Sequence, residues 1–177
     1  MNKMHFTFEK SIAILERTPA TVRTLLLGLP EDWTHCNEGE NTWSPYDIIG
    51  HYIHGEKTDW VPRMEIILSD NPDKHFVPFD RFAQYNDSKG KTLKQLLDEF
   101  EVLRKKNVEI LRSKDLSESD LVKTGIHPKF GDVTLAQLLS AWVVHDLNHI
   151  AQISRVMSRH YDKDVGPWTE FLRILQW

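Results

Sequence analysis

Hydrophobic residues recur at helical spacing in four long segments of the chain. In the first segment, residues 6–28, apolar residues recur at helical spacing, at Ile12, Leu15, Val22, Leu25 and Leu26, and Leu29 follows just beyond it. Thr18 and Pro19 are typical of a helix N-cap and first-turn proline. The pattern therefore predicts a short helix to about Arg17 and a kinked continuation from Pro19 to Leu27, which Gly28 ends.

The second segment begins with a clear helix-start signal. Ser44 is a good N-cap, Pro45 a good first helical residue, and Asp47 completes an acidic variant of the capping box. The helix should continue to about Leu68. Pro62 lies inside it and lacks the N–H that would bond one turn back, so we expect a kink or break in the turn before this proline.

Two further capping boxes open the third and fourth helices. Thr92 with Gln95 begins a helix whose inner stripe is Leu93, Leu96, Leu97, Phe100, Leu103, Ile110 and Leu111. Thr134 with Gln137 begins the last long helix, which should run to about His160. Each of these helices carries one apolar face, which must pack against another element.

Two glycines and an asparagine within the predicted helices need an explanation. Gly50 and Gly55 lie in mid-helix, where glycine lowers helix propensity, so either close packing or room for a ligand would explain them. Asn107 shares the face of the third helix's stripe. A buried amide is normally hydrogen-bonded, and we favour a neighbouring helix over a ligand site as its partner.

The remaining segments are predicted to connect the four helices. Residues 31–42 have no period, and His35 and Cys36 there should face solvent. Residues 69–90 are too long for a turn, so they should cross the length of the bundle, ordered by Phe76, Phe79, Phe82 and Tyr85. Residues 113–133 should be irregular apart from one helical turn near residues 117–121.

The chain ends in an apolar segment after Gly166. Its apolar side chains have the spacing of a packed helix face, so they should cover the bundle or a partner's surface: Trp168, Phe171, Leu172, Leu175 and Trp177. Together the four principal helices predict an all-α protein, a four-helix bundle with a long crossover between the second and third helices. A length of 177 residues fits one domain covering 1–177.

Charge and composition narrow the classes of function. The net charge of −4 and the scattered lysines give no basic face, so we expect no nucleic-acid partner. No run approaches the roughly 18 apolar residues of a membrane helix, and the first ten residues lack the core of a signal peptide. Cys36, the single cysteine, cannot form an intrachain disulfide. We expect a cytoplasmic protein without a membrane partner.

Two histidines on the last helix are the main candidates for chemistry. His145 and His149 lie four residues apart beside the apolar stripe, so one helix face presents both rings, as it would to a single metal ion. Such a pair needs a third ligand. His51 lies one turn beyond the start of the second helix, on the face of Ile48 and Gly55, and is the natural third ligand. Three core histidines hydrogen-bonded without metal are the alternative.

Three stretches of the chain resemble the DinB/YfiT-like superfamily. They are Arg-Thr-Pro-Ala at residues 17–20, Trp-Ser-Pro-Tyr-Asp-Ile-Ile-Gly-His at 43–51, and the segment 142–153 with its His-x-x-x-His. The resemblance covers nearly the whole chain and implies an up-down-down-up bundle with a divalent metal held by His51, His145 and His149. It also implies a homodimer, because homodimers are frequent in the family. His54 matches no ligand of the family.

The resemblance also implies an activity. Better-understood relatives include thiol S-transferases that use low-molecular-weight thiols and a mycothiol-dependent isomerase. Three imidazoles suit zinc or nickel, with iron, cobalt or manganese as further candidates, and leave a position open for a small-molecule substrate. We therefore expect transfer of a small thiol. A metal-dependent hydrolase and a non-catalytic, stress-related metal-binding bundle are the alternatives.

The general base is not identified by the sequence. Asp47, Glu56, His54 and Asp146 are all candidates. Asp47 could orient His51, although its capping role is favoured. Asp146 points about 100° away from His145 around the helix, so a salt bridge is favoured over metal ligation. His54 is expected to be a hydrogen-bonded wall of the pocket.

Overall fold

The computed structural model describes residues 7–176. The helices in this part of the chain are α1 (Phe8–Leu15), α2 (Thr18–Leu26), α3 (Glu31–Thr34), α4 (Pro45–Thr58), α5 (Trp60–Leu68), α6 (Gln84–Asp87), α7 (Leu93–Ser113), α8 (Glu118–Leu121) and α9 (Leu135–Ser158). Two strands, β1 (Thr124–His127) and β2 (Gly131–Thr134), form an antiparallel hairpin. Short 3₁₀ turns follow α9 at Arg159–Tyr161, Gly166–Glu170 and Arg173–Leu175.

Four rods make up the bundle: α1 with α2, α4 with α5, α7, and α9. The second and third rods are parallel, because Tyr52 contacts Phe100 and the later Glu56 contacts the later Asn107. The first and third rods are antiparallel, because Arg23 contacts Asp98 whereas the earlier Glu16 contacts the later Arg112. The second and fourth rods are also antiparallel, because Tyr52 contacts Asp146 whereas the later Trp60 contacts the earlier Trp142. The bundle has the expected up-down-down-up order.

Local signals explain where most of the rods begin and break. The three predicted capping boxes are present, with Ser44, Thr92 and Thr134 as the N-caps. The break expected before Pro62 separates α4 from α5 at Asp59. The predicted N-cap at Thr18 is wrong, because Thr18 is already helical and its hydroxyl donates to the carbonyl of Ile14 one turn back.

The core consists of two apolar clusters with a polar layer between them. One cluster surrounds Leu15, Met64 and Trp142, and the other surrounds Ile49 and Phe100. The layer is centred on Arg104, which is 1% exposed and bonds to Glu56, Asp146 and the carbonyl of Leu15. One guanidinium on α7 therefore contacts each of the other three rods.

The connection at residues 113–133 is more regular than predicted. β1 and β2 pair from Thr124↔Thr134 to His127↔Gly131, and the crossover segment pairs with β1 through Phe76 N to Ile126 O (2.9 Å). Four-residue strands carry too few alternating positions to give a sequence signal. Their second partner lies about 50 residues away in the chain, so the hairpin is stabilised by contacts that local patterns do not report.

A glycine in the hairpin makes room for the core. A Cβ at Gly125 would lie 2.4 Å from Cε1 of Phe76 and 2.9 Å from Cγ1 of Ile67. We expect Gly125→Ala to lower the free energy of unfolding by about 1–3 kcal/mol, the usual cost of overpacking a filled core. Urea denaturation measures this change. Adding Phe76→Leu should recover part of the loss, and an undiminished loss in the double variant would contradict the steric explanation.

The crossover is ordered by some of its predicted aromatics. Phe76 is buried and Phe79 is partly buried, whereas Phe82 and Tyr85 are exposed. After them, α6 and Ser88 lie close to Gly50, where a Cβ would be 2.3 Å from the Ser88 hydroxyl oxygen. Gly50 is thus explained by close packing. The loop predicted for residues 31–42 contains one helical turn, α3, and His35 beyond it is exposed as expected.

Two of the apolar residues after Gly166 do not cover the bundle, although Leu175 is partly buried. Trp168 is 66% and Phe171 is 77% exposed, so the first of the two roles expected for this segment is wrong for them, and Trp177 lies outside the described residues. A partner's surface stays a prediction. Among residues 7–176, no helix combines the length and apolar character needed to cross a membrane.

Candidate metal centre

Three histidines from two rods converge in the bundle. His51 comes from the second turn of α4, and His145 and His149 come from consecutive turns of α9. One ring nitrogen from each lies within 4.8 Å of the others, and the Nε2 atoms of His51 and His145 are 2.9 Å apart. The structure thus brings together the three residues predicted as ligands.

Burial keeps two of these rings neutral. His51 is 6% exposed, and desolvation, followed by the charges of His145 and His149, lowers its pKa to about 2. Desolvation and the charge of His145 lower the pKa of His149 to about 4. Both rings are therefore neutral near pH 7, and each keeps one nitrogen lone pair, the form that binds a metal.

The hydrogen bonds of the cluster fit a cation better than they fit a packed core. Nδ1 of His149 is 2.7 Å from Oε1 of Gln152; this acceptor places the proton on Nδ1 and leaves the lone pair on Nε2. The buried Nδ1 atoms of His51 and His145 have no hydrogen-bond partner among the described residues. Among the three imidazoles there is a single hydrogen bond, between His51 and His145, so their polar atoms are poorly satisfied for core residues. As a donor set they suit a divalent transition metal.

Aromatic side chains surround the cluster. Trp43, just before α4, packs against the rings of His51 and His149 at centroid distances of 4.6 and 5.9 Å. Phe79, in the crossover, meets His51 edge-on at 5.5 Å. These walls desolvate the imidazoles and fix their positions.

Two cavities reach the three histidines. Cavity A, of about 570 Å³, is lined by His51 and His149 and by Trp43, Phe79, Arg81 and Gln152, among others. Cavity B, of about 320 Å³, is lined by His51 and His145 and by Asp59, Arg63, Phe79 and His127, among others. His51 and Phe79 belong to both. The histidine cluster is thus accessible from two directions.

The acidic candidates for a general base have structural roles. Asp47 is the capping residue of α4, as favoured. Asp146 forms the expected salt bridge, to Arg104, and Glu56 bonds to the same guanidinium. Asn107 donates to Glu56 on the neighbouring rod, as predicted. None of these four residues is among those lining cavity A or cavity B.

His54 also lies outside the cluster. Its Nδ1 is 3.4 Å from Oδ2 of Asp87, and its ring packs against Phe79 at 4.9 Å. It is not one of the three residues whose nitrogens converge, and it does not line either cavity. His54 therefore packs against Phe79, which lines both cavities, without lining them itself.

Sequence reasoning missed the polar residues that line the cavities beside the three histidines, among them Asp59, Arg63, Arg81 and His127. Asp59 and Arg63 flank the break that Pro62 predicts, four residues apart, which is the local signal that could have drawn attention to them. Arg81 lies in the crossover and His127 in the hairpin. Their approach to the histidines depends on tertiary contacts that have no local pattern.

Comparisons with known proteins identify the family and the fold of the chain. The family model described as the DinB superfamily matches residues 14–153. A protein of Oceanobacillus iheyensis, whose name gives metal-dependent hydrolase as an inferred activity, is 22% identical over 147 residues, covering 82% of this chain and 83% of that protein. YfiT from Bacillus subtilis, described as a probable metal-dependent hydrolase with an unusual four-helix bundle topology, matches with a TM-score of 0.73 at 20% identity, covering 90% of this chain and 92% of that one. The family match spans most of the sequence, and the chain belongs to the DinB superfamily.

Proposed function

We propose that this protein is a divalent-metal-dependent enzyme whose ligands are His51, His145 and His149. The observation that carries the proposal is the convergence of three imidazole nitrogens within 4.8 Å where two cavities meet. Zinc or nickel is the proposed metal, because borderline cations prefer imidazole donors. The relative and the structural neighbour described as metal-dependent hydrolases support metal dependence.

The chain itself supplies binding and orientation. His51, His145 and His149 would hold the divalent cation, which would supply Lewis acidity and lower the pKa of a thiol or of water. Gln152 holds the His149 ring in the tautomer with its lone pair on Nε2. Trp43 and Phe79 exclude water from the inner side of the cluster, which strengthens electrostatic interactions there.

Transfer of a small thiol to an electrophile is the reaction that two cavities favour. A transfer needs two reactants next to the same centre, and cavities A and B give each reactant its own approach. Hydrolysis, with water as the nucleophile, is the second candidate. It is favoured by the metal-dependent hydrolase descriptions of the two similar proteins.

A paired screen tests these reactions. Protein loaded with zinc or nickel is mixed with a small thiol and an alkyl halide, and in parallel with activated esters and amides without thiol. The thioether should form faster than with metal alone, and His149→Ala should not accelerate it. Ester cleavage without thioether formation would replace transfer by hydrolysis. No rate above the metal-only background in either arm would contradict an enzymatic role.

The contact between Gln152 and His149 gives a prediction about metal affinity. Gln152→Leu removes the acceptor of the His149 Nδ1 proton, so we expect metal affinity to fall by about 10- to 100-fold, as when comparable outer partners are removed. Competition with a chromophoric chelator measures the change. Gln152→Glu keeps an acceptor and should retain wild-type affinity or exceed it; equal affinities in all three proteins would contradict this role.

A further inference from the structure

Asp59 is a buried acid on the wall of cavity B. It lies at the break between α4 and α5, is 8% exposed, and lines the cavity together with His51 and His145. The break itself follows from Pro62, which cannot donate to the carbonyl of Thr58. The kink that a proline imposes on the second rod thus leaves an acid beside the histidine cluster.

The surroundings of Asp59 combine burial with one close cation. Its Oδ1 is 2.7 Å from Nη1 of Arg63. Burial raises the pKa of Asp59, while Arg63, His145 and His54 act to lower it; His127 faces the same cavity from the hairpin. The Arg63 guanidinium favours the anion, which is the form that accepts a proton.

We propose that Asp59 is the proton acceptor of the reaction, a catalytic residue that takes the proton of a thiol entering cavity B. The inference rests on the proposed function. The S–H bond breaks, its proton forms an O–H bond with the carboxylate, and the electron pair stays on sulfur. Sulfur then forms a bond to the carbon of an alkyl halide as the halide departs with its electron pair. Asp59 releases the proton to water.

Other acids of the core do not have this position. Glu56 and Asp146 are engaged by Arg104 and do not line either cavity. Glu38 lines cavity A, but Arg155 binds both of its carboxylate oxygens. Asp59 is the acidic residue that lines cavity B within the described part of the chain.

Two thiols separate proton transfer from a structural role. 2-Mercaptoethanol is protonated at neutral pH, whereas 5-thio-2-nitrobenzoate is already a thiolate and needs no base. With Asp59→Asn, kcat for 2-mercaptoethanol should fall by about 100-fold or more, the usual contribution of a positioned base. The kcat for the aromatic thiolate should stay close to wild type, and so should the metal content.

Further variants complete the test. Asp59→Glu keeps a carboxylate and should restore much of the lost rate with 2-mercaptoethanol. Asp87→Asn, at an exposed acid paired with His54, should behave as wild type with both thiols. Asp59→Ser is the second non-ionisable variant if Asp59→Asn does not fold, and activity with the aromatic thiolate reports that either variant is folded.

The outcomes distinguish this inference from the proposed function. Equal losses with both thiols in folded, metal-loaded variants would overturn the role of Asp59 and leave the metal-dependent transfer intact. A wild-type protein that transfers neither thiol would overturn thiol transfer as the proposed reaction, and the inference with it. A loss confined to the protonated thiol is the expected result.

Discussion

Arg104→Met is expected to lower the free energy of unfolding by about 3–5 kcal/mol, the range found when one partner of a buried ionic network is removed. The guanidinium bonds to Glu56 and Asp146, both fully buried, and packs between the rings of Phe100 and Trp142. Methionine fills much of the volume but leaves two carboxylates without a cation. Urea denaturation of metal-free protein measures the loss.

Two controls show whether the loss comes from the buried charges. Arg112→Met removes an exposed arginine from the same helix, paired with Glu16, and should change stability little because surface pairs are screened by water. Adding Glu56→Gln and Asp146→Asn to Arg104→Met removes the stranded charges and should recover part of the stability. A stability of Arg104→Met equal to that of Arg112→Met would contradict the importance of the polar layer.

His149→Ala is expected to weaken metal binding by at least about 100-fold. Zinc sites with four ligands contribute on the order of 10–16 kcal/mol, so each ligand is worth roughly 3 kcal/mol, or about two powers of ten in affinity. A chelator competition assay with zinc measures the difference. The metal-free variant should remain folded, because the ring that alanine replaces lines cavity A and belongs to neither apolar cluster of the core.

His54→Ala is the matched control for this prediction. The ring of His54 lies one turn from His51 on the same helix but pairs with Asp87 instead of joining the cluster. Its removal should leave zinc affinity within about threefold of wild type, the effect of a residue that acts only through packing. Equal losses in the two variants would mean that the metal is held elsewhere.

The parts of the fold that the sequence predicted are those with local signals. The capping pairs at Ser44, Thr92 and Thr134 located three helix starts, and Pro62 located the break in the second rod. The hairpin of β1 and β2 was missed because its strands are short and one of them also pairs with the crossover. Local patterns report helix ends better than pairings made across the chain.

In the candidate site, too, the residues with a local sequence signal were predicted and the others were not. His145 and His149 were found by their spacing on one helix, and His51 by its face on another, so the histidine cluster was predictable from helix geometry. Arg104 was not predicted as a core residue, because an arginine on a helix is ordinarily assigned to the solvent face. The second cavity was missed because crossover and hairpin residues build its outer walls.

The most direct measurement is X-ray absorption at the metal edge of protein purified without an affinity tag. The proposed three-histidine site predicts one divalent ion per chain with three imidazole nitrogens at about 2.0–2.1 Å, the ordinary zinc–histidine distance, and loss of that signal in His149→Ala. Protein without a stoichiometric ion, or an ion whose imidazole ligands persist in His149→Ala, would contradict it.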